Sequence, residues 1–422
     1  MISYGYFVRL PDGRLLPAGQ DWGPTVDRLK EGDTLGTKNG REGIVYSVVK
    51  GGMAKQAGVD VLIVVEERVP MAGNVRQRMS QMLQELRHPR LTSRPQIQAE
   101  FQGKKFRAVR DSIYIRPQGE TFYDFQIHLL LWTLGKKWFD AEMAKPLKER
   151  HTILQWRHER NELLRAQQKP GDDPNKPVKI SLTGNVRALQ VLAADVYQLE
   201  HALKTPRKIV ERLRDSRQFQ GARFEIVVAS IFARCDFTVS FIDDQTKKTP
   251  EFVAEKGTER IAVEAKSRHR PGVLQHPGRV EQGAEPAPAN IKHHYEEALQ
   301  QNPGDIPFLV FIDVNLPLTP DMVPMEKAWV KEAMKCFDDR RQEGKLVDLD
   351  TGLVLTNFGW HYYRAPGAPP GEIMPVRAMN PQHPIRDETW QILERALSEY
   401  GLIVDQEDYE SAVRARYPDF NP

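Results

Sequence analysis

After Thr205-Pro206 the apolar residues switch repeatedly between helical and strand spacing, which commits this part of the chain to a layered α/β arrangement. A helix runs into residue 234 and is followed by a strand at Phe237–Ile242. A hairpin comes next, with strands near Phe252–Ala254 and Arg260–Lys266 joined through Lys256-Gly257. The helix Asn290–Gln301, the strand Pro307–Val314, the helix Glu326–Phe337 and the strand Gly352–Thr356 continue the alternation. A last helix is expected over Asp387–Tyr400, with Asp387 as its N-cap and Gly401 as its stop. A helix, three mostly antiparallel strands, a helix and a returning strand predict an α/β fold with a mixed sheet.

Two other regions precede it. Residues 1–118 read as a β-rich domain of short alternating runs (Ile44–Val49, Val61–Val65, Ile97–Phe101, Phe106–Val109, Ile113–Ile115), interrupted by one helix near Val75–Leu86. Residues 119–205 read as helical, with Val186, Leu189, Leu192, Val196, Leu199 and Leu203 forming one stripe. The expected organisation is therefore 1–118, 119–205 and 206–422, the last with a C-terminal extension.

Composition narrows the function classes. With 422 residues, 40% hydrophobic and 28% charged, the chain is of ordinary globular make-up, which excludes a disordered or collagen-like protein. Two distant cysteines, Cys235 and Cys336, exclude a disulfide framework and argue against a cysteine zinc site. No stretch reaches the ~20 apolar residues of a membrane span, and the start lacks the features of a signal peptide, so a cytoplasmic location without membrane contact is expected. Charge is uneven: +5 over residues 1–135, +8 over 136–223 and −10 over 224–422. A basic first half fits a polyanion such as nucleic acid, or neutralisation across an interdomain contact. The absence of a Gly-x-x-x-x-Gly-Lys-Ser/Thr loop, a Gly-x-Ser-x-Gly elbow and a His-Glu-x-x-His pair argues against an NTP engine, a common serine hydrolase and a zinc protease.

Four charged residues stand out in the third region. Glu225 lies in an otherwise apolar helix, Glu251 follows Thr249-Pro250 where a strand begins, and Glu264 and Lys266 lie at i and i+2 of a strand. The last two leave the same face of the sheet, with Val263 and Ala265 facing the core. Charges in such apolar elements are costly unless partnered. Carboxylates from adjacent hairpin strands suit a hard cation such as Mg²⁺, and a neighbouring lysine can orient or deprotonate a water.

The pattern Gly221-x-x-x-Glu225, Pro250-Glu251, Val263-Glu264-Ala265-Lys266 resembles the PD-(D/E)XK, or restriction-endonuclease-like, nucleases, closest in look to Holliday junction resolvase and Mrr-type cores. The resemblance covers about residues 206–358. It implies an αβββαβ core, Mg²⁺ or Mn²⁺ as cofactor, and hydrolysis of DNA phosphodiesters in restriction, defence or repair. Carried over, Glu251 and Glu264 are the main metal ligands, Glu225 and the carbonyl of Ala265 further ones, and Lys266 positions the water. One position departs: Glu251 stands where the family has aspartate, one methylene shorter. Such cores commonly pair, so a homodimer is expected.

Around this set, Arg268, His269, Arg270 and Lys292 are candidates for contacts to nucleic-acid phosphates, with Gln300 and Gln301 as weaker ones. His293-His294 point in different directions on a helix, which argues against joint metal ligation. The insert Pro271–Ala289 is long for an ordered loop and is expected to be disordered or a mobile gate. Gly359–Arg364 reads as an edge packed against the terminal helix rather than as a base-stacking surface. Two other function classes stay open: a catalytically weak nucleic-acid-binding scaffold, and an interaction protein working through residues 48–65, whose Gly51-Gly52 piece resembles the carboxylate-binding loop of PDZ domains.

Overall fold

The computed structural model describes the backbone of residues 4–9, 15–17, 34–36, 42–50, 61–68, 97–101 and 104. It describes with side chains 105–117, 119–169, 178–242, 248–279, 288–343 (less the side chain of 341), 351–377 (less that of 351) and 381–403. These form two compact units, one over Met1–Phe122 and the other over Tyr123–Asp172 with Val178–Ile403.

In the first unit, strands β1 (Tyr4–Arg9), β2 (Leu15–Pro17), β3 (Thr34–Gly36), β4 (Glu42–Lys50) and β5 (Val61–Arg68) form one sheet in the order β2-β1-β5-β4-β3. A second, antiparallel sheet holds β6 (Ile97–Phe101), β7 (Lys104–Val109) and β8 (Ser112–Arg116). The β-rich expectation matches these strands. The Val75–Leu86 helix and the Gly51-Gly52 loop lie outside the described residues.

The second unit joins the helical stretch and the α/β stretch, which share one core. Helices α1 (Phe122–Leu134), α2 (Lys136–Met143), α3 (Thr152–Gln167) and α4 (Gly184–Ala202) come first. The helix expected to run unbroken into residue 234 is two: α5 (Arg207–Arg214) and α6 (Phe219–Arg234). The break falls at Asp215–Gln218, where the Asp215 carboxylate accepts from the backbone N–H of Arg217, a local side-chain bond that competes with helix continuation.

The sheet holds β9 (Thr238–Phe241), β10 (Phe252–Lys256), β11 (Glu259–Ser267), β12 (Phe308–Asp313), β13 (Thr351–Asn357) and β14 (Glu372–Val376), in the order β14-β13-β12-β11-β10-β9. β9, β10 and β11 pair antiparallel, β11 to β13 are parallel, and β14, which the sequence pattern did not announce, closes the edge antiparallel. Every residue of β12 is buried, the property of a central strand covered on both faces. Residues 219–233 of α6 are likewise all buried, as an all-round apolar helix requires. α6 covers one sheet face through Ile261, Val263, Ala265, Leu309 and Phe311. Helices α7 (Ile291–Leu299) and α8 (Ala328–Gln342) cover the other through Ala262, Phe308, Val310 and Ile312.

Two details of the chain ends differ from expectation or refine it. Helix α9 (Asp387–Ser398) takes Arg386 as its N-cap, so Asp387 sits inside the first turn, where its charge suits the helix N-terminus. Gly401 ends the segment at φ +78, and a Cβ there would come 2.5 Å from the Trp360 ring. Trp360 is in the core, stacked on Phe358 and Tyr400, in line with the packed-edge reading of that stretch. Among the described residues no helix is long and apolar enough to cross a membrane.

A buried polar network ties α4, α6 and the residues just after α9 together. Asp195, fully buried, accepts from Ser230 Oγ at 2.7 Å, Arg234 Nη2 at 2.8 Å and the Tyr400 hydroxyl at 2.5 Å. Asp195→Ala strips Arg234 of its carboxylate in a dry interior, which is expected to cost about 3–5 kcal/mol. Urea unfolding of the two proteins checks this, and a loss below about 1 kcal/mol would place the network among the dispensable surface pairs.

Candidate functional site

The hairpin β10–β11 builds the site. Gly257 turns the chain at φ +62 between Lys256 and Glu259, a two-residue connection of the type II′ form that matches strand twist. That turn sets the register Phe252↔Val263 and places Glu251, one residue earlier, across from Glu264. A slip of one residue would move Glu264 into the α6 core and Val263 out of it. With the apolar odd-numbered residues of β11 on the α6 side, Glu264 and Lys266 share the opposite face.

Each acidic group then meets a specific partner. Lys266 Nζ lies 2.7 Å from Glu264 Oε1, and the backbone N–H of Glu251 donates to Glu264 Oε2 at 3.1 Å. Glu264 is fully buried, while the Lys266 side chain keeps about a quarter of its surface in solvent, at 23%. Glu225 is supplied by α6 and is held by both nitrogens of the Arg212 fork: Nη1 donates to Oε2 and Nη2 to Oε1, each at 2.6 Å. Arg212 comes from α5, and the break at Asp215 is what lets it fold back to this position.

Burial pushes the carboxyl pKa values of Glu225 and Glu264 up, opposed by Arg212 for the first and Lys266 for the second. Glu251 has no such dedicated cation. Burial, then the charges of Glu225 and Glu264, push it up to about 8, with Arg212 and Lys266 pulling the other way. Three carboxyls thus share the neighbourhood with two cations, and Glu251 holds its proton at neutral pH.

The remaining candidates take varied places. Ala265 turns its methyl into the core. Arg268 and Arg270, expected to reach phosphates, are 6% and 7% exposed; Arg270 donates to the Tyr362 hydroxyl at 3.3 Å and lies over that ring. The backbone of this segment is bonded inward, Arg268 N–H to the Asp313 carbonyl at 3.0 Å and Arg270 N–H to Gln220 Oε1 at 2.8 Å. His269 stays exposed. Lys292 is half-exposed and pairs with Glu343 at 3.5 Å, and Gln300 accepts from Lys248. His293 and His294 differ in exposure, at 67% and 17% of their side chains, but both rings reach the Glu297 carboxylate, at 3.5 and 3.9 Å, with ring centroids 5.6 Å apart. Burial drives His294 down to about 4, and the charges of Lys266 and Arg268 reach it.

The insert after Arg270 is fastened over its first part, in place of the expected disorder. Gln275 donates to the Arg150 carbonyl at 2.6 Å and His276 N–H to the Val273 carbonyl at 2.9 Å. Residues 280–287 lie outside the described ones.

Sequence reasoning missed Arg212. Its signal is present, since Ile209, Val210 and Leu213 make one buried face of α5 and Arg212 lies on its border. That signal means nothing until α5 is known to double back.

Among the described residues no three His, Cys, Asp or Glu side chains gather as a metal-holding group by themselves. The donor set still fits a hard divalent cation of the Mg²⁺ kind, which takes one or two carboxylates and fills the rest of its shell with water and phosphate oxygens. The observation that fits it is the surplus buried carboxyl of Glu251, whose ionisation needs added positive charge. No protein-family model, no curated protein and no solved structure matches this chain.

The raised pKa has a definite sign. Glu251 keeps its proton in the fold while the unfolded chain loses it near 4.5, so this group weakens the metal-free protein as pH rises from 4.5 to about 8. Glu251→Gln is expected to raise the melting temperature at pH 8 by several degrees, with the gain fading toward pH 4.5. Mg²⁺ or Mn²⁺ is expected to stabilise the wild type more at the alkaline end and to leave Glu251→Gln unmoved. Thermal unfolding across the range checks both, and equal metal shifts in the two proteins would sink the assignment.

Proposed function

We propose that this protein is a metal-dependent nuclease that hydrolyses DNA phosphodiesters from a restriction-endonuclease-like core spanning α6 to β12. The observation that carries the reading is the carboxyl surplus at Glu251, set across from Glu264 with Lys266 on the same sheet face. The element order α6-β9-β10-β11-α7-β12 supports it, being the αβββαβ succession that the motif resemblance implies.

In this reading Glu251 and Glu264 would hold the cation, with the Ala265 carbonyl as a further ligand. When bound, the cation supplies positive charge to the phosphodiester and makes a water more acidic. Lys266, with about a quarter of its side chain in solvent, would orient that water. Glu225, gripped through both oxygens by Arg212, serves here less as a direct ligand than as the anchor of a guanidinium beside the site. Glu251, one methylene longer than an aspartate, would hold the cation from a longer arm.

The test is cleavage of supercoiled plasmid and of single-stranded DNA with Mg²⁺ or Mn²⁺. Wild type is expected to cut, and Glu264→Ala and Lys266→Ala, checked for folding by circular dichroism, are expected to lose at least about a hundredfold in rate. Equal silence of all three proteins, with DNA still bound in a salt-dependent way, would replace the nuclease by a nucleic-acid-binding scaffold.

A further inference from the structure

Gly221 lies one helical turn before Glu225 on α6. A Cβ at this position would come 2.9 Å from His269 Nε2 and 3.5 Å from Arg212 Nη2. The bare Cα therefore lets an imidazole and a guanidinium close together over the helix. We propose that Gly221 is the floor of a phosphate-binding subsite whose donors are Arg212 and His269, and which grips the nucleic-acid backbone beside the carboxylate cluster. It rests on the nuclease reading for its substrate class, and it adds a contact and two positions that the motif does not supply.

The donor chemistry suits a phosphodiester. Arg212 uses two N–H groups on Glu225, and a guanidinium has five, so a second edge is left for an anion. A third of its side chain is in solvent, at 34%, and His269 is exposed. The His269 ring stands 5.3 Å from that of His276, edge to face. Partial cover, His276 and Arg212 together hold His269 below the usual imidazole pKa, so at neutral pH it offers one N–H donor rather than a second full charge. Lys266 lies three residues upstream on the same chain segment.

Gln220, the neighbour of Gly221, is the positioning residue. Its amide is buried and uses its full hydrogen-bonding capacity: Nε2 donates to the carbonyls of Arg270 at 3.1 Å and Val273 at 2.7 Å. Its Oε1 accepts from Arg270 N–H at 2.8 Å and Asn315 Nδ2 at 3.0 Å. Three of these bonds fasten the segment carrying His269 onto the helix that carries Gly221, and the fourth ties in Asn315, whose Nδ2 also donates to the Arg268 carbonyl at 3.0 Å. A surface histidine held at this spot by a saturated buried amide is placed, not incidental.

The experiment measures binding of a short labelled DNA duplex to the full chain in EDTA, alongside cleavage with Mn²⁺. Gly221→Ala is the informative variant, because alanine favours a helix and only displaces the tip of the His269 ring. It is expected to leave the melting temperature no lower, to weaken duplex binding about tenfold, and to raise KM about tenfold with kcat within about twofold. His269→Ala is expected to do the same, and the double variant to be no worse than either, since both remove one contact. Wild-type binding by folded Gly221→Ala, or additive losses in the double variant, would overturn the subsite. If the wild type cuts DNA and neither variant changes KM, the subsite falls and the nuclease reading stands. If the wild type binds through Gly221 and His269 but never cuts, the nuclease reading falls and the subsite stands. No duplex binding by the wild type removes both.

Discussion

Three glutamates share one buried corner with two cations, and the geometry of the second unit follows from keeping that corner tolerable. Glu225 is matched by Arg212 and Glu264 by Lys266 at hydrogen-bonding distance, and Glu251 avoids ionising. A low-dielectric interior makes each of these pairs far more binding than a surface ion pair, and makes a missing partner correspondingly expensive.

Each partner depends on a separate feature of the fold. Arg212 needs the chain break at Asp215, without which α5 would run on from α6 and point away. Lys266 needs the period-two alternation of β11, and Glu251 needs the turn at Gly257 that sets the hairpin register. Glu225 needs α6 to be buried on all sides, so that its carboxylate has no route to bulk water. The segment after β11 is drawn in by Gln220, which turns Arg268 and Arg270 inward and leaves His269 at the surface.

Short apolar strands announced themselves well. β11, β12 and β13 fall where the apolar runs placed them, because a strand buried largely on both faces has little sequence freedom, and β10 falls where alternation placed it, burying Phe252 and Ala254. β14, with Pro375 in it and only partly buried side chains, lacks that pattern and pairs because β13 offers it an open edge. Helix ends were less legible. Asp387 and Arg386 are both able to start a helix, and the choice depends on Arg386 reaching Glu259, 127 residues earlier in the chain. The Pro/Gly content of the 271–279 stretch reads as freedom, yet Gln275 is bonded to Arg150 through a contact that no local pattern encodes.

By itself the sequence determined the layered α/β class, the face that Glu264 and Lys266 share, and the nearness of Glu251 to Glu264, since a strand period of two and a glycine turn are local properties. Only the tertiary structure decided that Glu225 belongs to Arg212, that Arg268 and Arg270 turn inward while His269 does not, and that Glu251 is the carboxyl left without its own cation. Those outcomes are set by which elements pack together in space, and the energy of a buried charge depends on its neighbours there rather than on its neighbours in the chain.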